Sequence, residues 1–424
     1  MSLFQPTTAP AVPAETTSAP TVAGLLKDIS GVGRDNTRGG YSRPVFSTAE
    51  TDLRAWFIEQ ARRRGLDVQT DSNGIIWAWW DTASGVREDA VATGSHLDSV
   101  PGGGAYDGPL GVASALVAVD LLKARNFQPR RPLALAVFPE EEGSRFGVAC
   151  LGSRLLTGQL DATKARNLKD PAGNTYAEVA AANGQDPRFI GADHSALQRL
   201  GMFVELHVEQ GRGLIDLHQP VAIGSSILGH GRWKLSITGE GNHAGTTLMK
   251  DRKDPMVAAA KVMVSIRDAA RKYRDARATV GRLQPVPGGT NVIASRVDLW
   301  IDVRHPEDSV TAALVEAIGQ NAQVLAAEEG CTASLGTESL SPTVHFDGGL
   351  RDRLQQLLPA APVLDTGAGH DAGVLAAHLP TAMLFVRNPT GVSHSPDELV
   401  DDGDAEAGAL ALADSLAGLL GEAA

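Results

Sequence analysis

TGSHLDSVPGGGAYDGPLG, residues 93–111, decides how the rest of the chain is read. A short apolar segment, 90–92, stands before it, and a largely apolar run, 110–122, follows it. The order is strand, loop, helix, with His96 and Asp98 where the strand ends. In open α/β sheets, that end of a strand is where ligands bind. Pro109 suits the first helical position, where a missing N–H costs nothing. Asp107 lies between the glycine-rich turn 102–104 and that proline. His96, Asp98 and Asp107 are either metal ligands or ordinary polar residues of a turn, where Asp is common. This segment alone does not separate the two; the rest of the chain does.

At 424 residues the chain exceeds one ordinary core, so two domains are expected. It is 43% hydrophobic and 21% charged, with no apolar run of membrane-spanning length. The formal charge of −12 argues against nucleic acid as a partner. Residues 1–21 are rich in Pro, Thr and Ala, with no cationic start and no apolar core. They are expected to form a disordered tail, not a signal peptide. Cys150 and Cys331 supply neither a disulfide framework nor a cysteine metal cluster. A cytoplasmic enzyme is the expected setting.

Spacing predicts helices over 22–29 and 49–64 and a strand over 75–80, where Trp77, Trp79 and Trp80 are read as packing. LALAVF, Leu133–Phe138, is a continuous apolar run of the kind buried on both faces of a parallel sheet. It ends in Pro139 and then Glu140, Glu141, Glu142 and Gly143. Adjacent carboxylates raise one another's pKa if buried, so a cation or a solvated loop must relieve them. Another mostly apolar run, 202–206, leads into His207, Val208, Glu209 and Gln210. Potential ligands thus recur at successive strand ends.

From about residue 221 the character changes. Strands are expected over 232–238, 278–283 and 291–304, and helices over 255–271 and 309–328. This order fits a compact ferredoxin-like α+β insert over 222–337. The chain is then expected to return to βα signals: a helix over 350–358, the loop TGAGHDAG, and a strand over 381–386 that runs on to His394. The fold expected is α/β: a mixed, mostly parallel sheet flanked by helices, built from 22–221 and 338–424, interrupted by the smaller insert.

His96, Asp107, Glu142, His207 and His394 make an imidazole and carboxylate donor set without thiolate, which suits Zn, Mn, Co or Ni. Five ligands hold two divalent ions if one carboxylate bridges, and Asp107, after its glycine turn, is the natural bridge. Neighbours at an irregular strand end diverge, so Glu141 is left free as general base, passing a proton from water to the leaving nitrogen. Asp98, two residues from His96, is placed to orient that imidazole.

Seven stretches carry a resemblance: residues 93–111, EEEGSRFG, ELHVEQG, GEGNHAGTT, GGTNVIASRV, TGAGHDA and GVSHSPDE. Together they resemble the amidohydrolase branch of the dinuclear-metal aminoacylase/carboxypeptidase superfamily. That branch holds allantoate amidohydrolase, N-carbamoyl-L-amino-acid hydrolase and beta-ureidopropionase. The resemblance implies a catalytic domain interrupted by a lid that also forms a homodimer. It implies His96, Asp107 and His207 on one metal, Asp107, Glu142 and His394 on the other, and Glu141 as base. It further implies that His243 stabilises the tetrahedral oxyanion in the partner subunit's site. Asn291 and Arg304 would hold a substrate carboxylate, for which Arg is well suited, and Gln210 and His370 would line the pocket. The implied substrate is a small ureido or carbamoyl acid, with allantoate first, giving a ureidoglycine-type product, ammonia and CO2. N-carbamoyl-L-amino acids and N-carbamoyl-β-alanine are the alternatives.

Two positions depart from the usual pattern of that branch. Leu248 stands where a proline is usual, and His230-Gly231-Arg232 replaces a glycine–glutamine sequence. Simpler roles also exist: His243 as a loop histidine, Asn291 as a turn cap, His370-Asp371 as a helix cap, and Arg304 paired with Asp302 or Glu307. Two other readings of the whole are a non-catalytic binding protein and a dipeptidase or aminoacylase of the same superfamily. The complete donor set beside Glu141 speaks against the first, and His207 in place of a carboxylate leans away from the second.

Overall fold

The computed structural model describes residues 20–421. The tail expected over 1–21 lies outside the described residues except for Pro20 and Thr21. Thr21 caps the first helix, Val22–Asp28, by accepting a hydrogen bond from the Gly24 amide at 3.0 Å. In chain order the strands are β1 (Asp67–Thr70), β2 (Ile76–Trp80), β3 (Ala90–His96), β4 (Leu133–Phe138), β5 (Leu200–Val208), β6 (Val221–Ile227), β7 (Gly229–Thr238), β8 (Asn242–His243), β9 (Arg277–Val286), β10 (Val292–Ile293), β11 (Arg296–His305), β12 (Thr332–Ser341), β13 (Val344–His345), β14 (Val363–Thr366) and β15 (Thr381–Val386).

The larger sheet runs β1-β2-β4-β3-β5-β15-β6-β13, with β14 also on β6. Its centre, β4-β3-β5-β15, is parallel. The β1, β2, β13 and β6–β15 pairings are antiparallel. Every residue of β3, β4 and β15 is buried. Helices cover both faces of the parallel centre, which is why β4 and most of β15 read as continuous apolar runs instead of an alternation, while β3 turns polar only toward its site end, at Thr93, Ser95 and His96. One face packs Leu110, Leu116 and Leu122 of the helix Pro109–Ala124 together with Leu412 and Leu416 of the helix Asp402–Leu420. The other face packs Phe138, Phe203 and Phe385 against Leu156 and Leu375. Pro109 occupies the first turn of its helix as the sequence suggests.

The second sheet runs β12-β7-β11-β9, entirely antiparallel. With the helices Pro255–Ala270 and Asp308–Glu328 between its strands, it has the fourth-first-third-second order of a ferredoxin-like unit. Alternation inward along β7 and β11 puts Trp233, Leu235, Leu299 and Ile301 against Val262, Ile266, Leu314 and Ile318, a core of its own. Two expected boundaries differ. The span 222–337 begins inside β6 and ends inside β12, because β6 is held by β15 in the larger sheet and β12 continues along β7 to Ser341. The expected strand 291–304 is broken, since β10 leaves the sheet to pair with β8, setting Val292 opposite His243.

Leu116 is fully buried in the helix that follows directly from Asp107. Leu116→Ala is expected to cost about 2–5 kcal/mol, the range for a large aliphatic side chain removed from a core. Amide hydrogen exchange should accelerate in the helix Pro109–Ala124 and stay unchanged around Leu299. Equal acceleration in both regions would show that the two cores open as one.

Candidate metal centre and active site

The parallel strands deliver the site. His96 is the last residue of β3, His207 is the penultimate residue of β5, and Glu140, Glu141 and Glu142 follow β4. Because β3 is hydrogen-bonded to both β4 and β5, the three ends meet. The ring centroids of His96 and His207 lie 5.7 Å apart, nearly parallel. Gly108, at φ 85°, lets the chain turn tightly under His96; a Cβ there would come within 2.6 Å of the imidazole.

Asp107 is central. Its Oδ1 lies 3.4 Å from His96 Nε2 and 3.3 Å from His207 Nε2. Its Oδ2 lies 3.4 Å from His394 Nε2, which is also 3.4 Å from Glu142 Oε2. Two trios therefore share one carboxylate: His96, Asp107 and His207, and Asp107, Glu142 and His394. The Nδ1 atoms of His96 and His207 sit 3.1 and 3.0 Å from the carbonyl oxygens of Asp98 and Val208. Their Nε2 atoms are buried without a hydrogen-bond partner. Buried polar atoms are rarely left so, and an imidazole fixed through one nitrogen with the other free is set up as a metal ligand. The residues present thus fit divalent cations; a third buried group, Glu205, His207 and His370, shares His207 with the first trio, but only the two trios joined by Asp107 share a carboxylate.

The acidic turn is not solvated. Glu140 and Glu141 are buried, and the Glu142 side chain is 6% exposed. Glu140, at a left-handed φ of 54°, accepts hydrogen bonds from the Arg145 and Phe146 amides at 3.0 and 2.5 Å. Asp98 accepts from the amides of Glu141 and Glu142 at 3.1 Å each. Its carboxylate is 3.7 Å from His96 Nδ1, farther than its own carbonyl oxygen. Asp98 therefore grips the glutamate turn with its carboxylate and touches His96 through its backbone, a division the sequence did not suggest. Burial pushes the Glu141 carboxyl well above the usual range; His96 opposes this, and Asp371, Glu142 and Asp107 add to it. Glu142 is pushed to about 8 by burial and then by the Asp107 charge. Burial acts to raise Asp107 too, but the His207 and His96 rings beside it hold it well below the usual range.

The other expected residues divide into those at this centre and those away from it. Gln210 Nε2 donates to Asp107 Oδ2 and to Ser393 Oγ, both at 3.0 Å. Beside Gln210 opens a cavity of 350 Å³ bordered by Arg212, Arg277, Thr366 and Gly367. His370 is buried, with its ring centroid 4.4 Å from that of His207 and neither ring nitrogen hydrogen-bonded. Arg304 is held by Asp302, at 2.7 and 3.1 Å, and by the Gly367 carbonyl at 2.6 Å, so the ion pair of the simpler reading is present. His230 is directly opposite Arg304 on β7. His243 and Asn291 are both exposed and lie together at one small two-stranded ribbon, where the Asn291 carbonyl accepts from the Ala244 amide at 3.0 Å.

Three buried acids escaped the sequence reading of the site. Glu398 accepts from the amides of Tyr106 and Asp107 at 3.1 and 3.0 Å and from Ser393 Oγ at 3.1 Å. Glu205 accepts from Ser95 Oγ and the Ala372 amide, both at 2.9 Å. Asp371, expected to cap a helix, instead accepts from the Ser153 hydroxyl. Glu205 stands two residues before His207 on β5, and that spacing along a strand was the available signal.

The fold and the donor set together are those of a hydrolase. The chain belongs to peptidase family M20/M25/M40, whose model matches residues 92–417. It is 35% identical to the N-carbamoyl-L-amino acid amidohydrolase of Geobacillus stearothermophilus, over 91% of this chain and 94% of that one. It is 29% identical to the allantoate amidohydrolase of Escherichia coli (strain K12), over 88% and 92%. Among solved structures it matches a putative amidohydrolase/peptidase from Burkholderia cenocepacia with a TM-score of 0.83 and 29% identity, covering 95% of this chain and 98% of that one. The amidohydrolase resemblance and the α/β fold expected from the sequence are thereby borne out.

If Asp107 serves both trios, Asp107→Ala removes a ligand from each. Elemental analysis after loading with Zn2+ or Mn2+ should show both ions lost together. Loss of one ion per chain would show that Asp107 does not bridge.

Proposed function

We propose that this protein is a metal-dependent amidohydrolase that cleaves a linear C–N bond in a ureido or carbamoyl acid. The observation that carries this reading is the pair of trios sharing Asp107 with Glu141 alongside, its Oε2 3.6 Å from His96 Nε2. His96, Asp107 and His207 would hold one divalent ion, and Asp107, Glu142 and His394 a second, Zn or Mn with Co or Ni as alternatives. When bound, such a pair polarises the scissile carbonyl and acidifies the attacking water. Glu141 takes the water's proton and hands it to the leaving nitrogen. Burial supports that role by keeping its carboxylate basic. Cys150 Sγ donates to Glu141 Oε1 at 3.5 Å, which leaves Oε2 toward the centre. His370 and Gln210 border the substrate space. Arg304 and Asn291 receive the substrate carboxylate; Arg304 exchanges its bond to the Gly367 carbonyl for it, and Asn291, at the ribbon of His243, would serve the site that His243 reaches. We read the setting as cytoplasmic, supported by two unpaired buried cysteines; among the described residues no helix is long and apolar enough to cross a membrane.

Allantoate is the first substrate of this reading. The 35% identity to the Geobacillus enzyme favours N-carbamoyl-L-amino acids as the second. Ammonia release by Zn- or Mn-loaded protein from allantoate, N-carbamoyl-L-amino acids and N-carbamoyl-β-alanine tests it. Turnover of one class is expected, and loaded protein inert on all three would sink the proposal.

The insert is read as lid and homodimer contact. Met256, Val257 and Val264 on one of its helices are exposed apolar side chains, which supports a partner there. His243, exposed on its two-stranded ribbon, would then reach the partner's site and stabilise the developing oxyanion. Removing such a donor costs about 2.7–4 kcal/mol. His243→Ala should therefore slow turnover on the order of a hundred- to a thousand-fold with metal content unchanged. Mixed with Glu141→Gln, it should regain up to about half of one dimer's activity per heterodimer, since one composite site collects both defects. Confirmed heterodimers without recovery would assign His243 to its own chain or to no catalytic role.

A further inference from the structure

We infer that Glu398 is the positioning residue that fixes Asp107 between the two trios, and that Gly104 is glycine to admit it. The inference rests on the metal-centre reading above. Glu398 is 291 residues from Asp107 in sequence and 4% exposed. One carboxylate oxygen takes both the Tyr106 and the Asp107 amides, at 3.1 and 3.0 Å. The other takes the Ser393 hydroxyl at 3.1 Å, and Ser393 in turn lies 3.0 Å from Gln210 Nε2. A single side chain therefore ties the backbone of the shared ligand to the loop that carries His394.

An Asp side chain has only two torsions. The Asp107 amide is anchored on one side and the helix Pro109–Ala124 begins two residues beyond it, which together restrict the direction of its Cα–Cβ bond and leave Oδ1 and Oδ2 directed at different imidazoles. No other side chain holds the Asp107 amide among the described residues. Space confirms that the seat is built. A Cβ on Gly104 would come 2.1 Å from Glu398 Oε1, 2.4 Å from its Cδ and 2.6 Å from its Cβ. The third glycine of the turn is thus required by close approach of a carboxylate and not by a left-handed backbone.

The test measures Zn2+ affinity by competition with a chromophoric chelator, using the full chain, with circular dichroism of the metal-free protein as the folding control. Glu398→Ala should weaken Zn2+ binding about 10–100-fold, the range for a partner that orients a metal ligand. Glu398→Gln should stay close to wild type, because its carbonyl oxygen still accepts from both amides. Gly104→Ala should reproduce the alanine defect from the opposite side, and the double variant should be no weaker than Glu398→Ala alone, since both remove one contact. Wild-type affinity in Glu398→Ala, a Gln variant as weak as the Ala variant, or additive losses in the double variant would each overturn the inference. Should Glu398→Ala fail to fold, the opposite behaviour of Glu398→Gln and Gly104→Ala carries the same decision. Wild-type protein that binds Zn2+ yet releases no ammonia from any ureido acid refutes the proposed substrate class and leaves this inference standing; wild-type protein without Zn2+ affinity removes its basis.

Discussion

One carboxylate with both oxygens committed is the constraint on which the site depends. Asp107 faces two buried imidazoles through Oδ1 and a half-exposed one through Oδ2. Meeting that demand requires strand ends that converge, so β3 and β5 must be neighbours in the sheet. It requires a helix that begins immediately after Asp107 and a tight turn beneath His96. The parallel centre, buried on both faces, supplies the rigidity that the loop carrying Asp107 lacks.

The acids around this centre are arranged to hold backbone as well as charge. Asp98 takes two amides of the glutamate turn, Glu140 two amides further along it, and Glu398 the amides at Asp107. A buried carboxylate bonded to N–H groups avoids most of the cost of leaving water. The same residues concentrate negative potential where Glu141 and Glu142 lie, and burial then favours either protons or cations among them. Catalytic machinery of the hydrolase kind needs both properties: fixed directions and a field that draws in a cation.

Much of this was legible in residue order because the physics was local. β4, and β15 after Thr381, are apolar because both faces are covered, and the strands run as their composition suggests. His96, His207 and the glutamate turn stand at strand ends, where a short stretch shows them, and Asp107 and His394 lie on the loops that follow. What was not legible depended on distance. Glu398 closes a turn after Ser395 and Pro396 and reads as an ordinary surface acid; its partners are nearly the whole chain away. β6 contains Gly224, Ser225 and Ser226 and reads as the start of a change in character, yet pairing with β15 keeps it in the larger sheet. Arg304 was compatible with both a substrate carboxylate and Asp302, and the bidentate pair to Asp302 is what the strand geometry brings about, since the two residues alternate on one face.

The two trios differ in their access to water. His96 and His207 are essentially sealed, whereas the His394 side chain is 51% exposed and takes a left-handed φ of 55° in its loop. Whatever cation the outer trio holds would exchange with bulk solution without disturbing the sheet. A cation in the inner trio would leave only after the outer ligands part. Loading and stripping would then follow an order, inner first in and last out, and mild chelation would yield a half-loaded protein whose buried position is still filled.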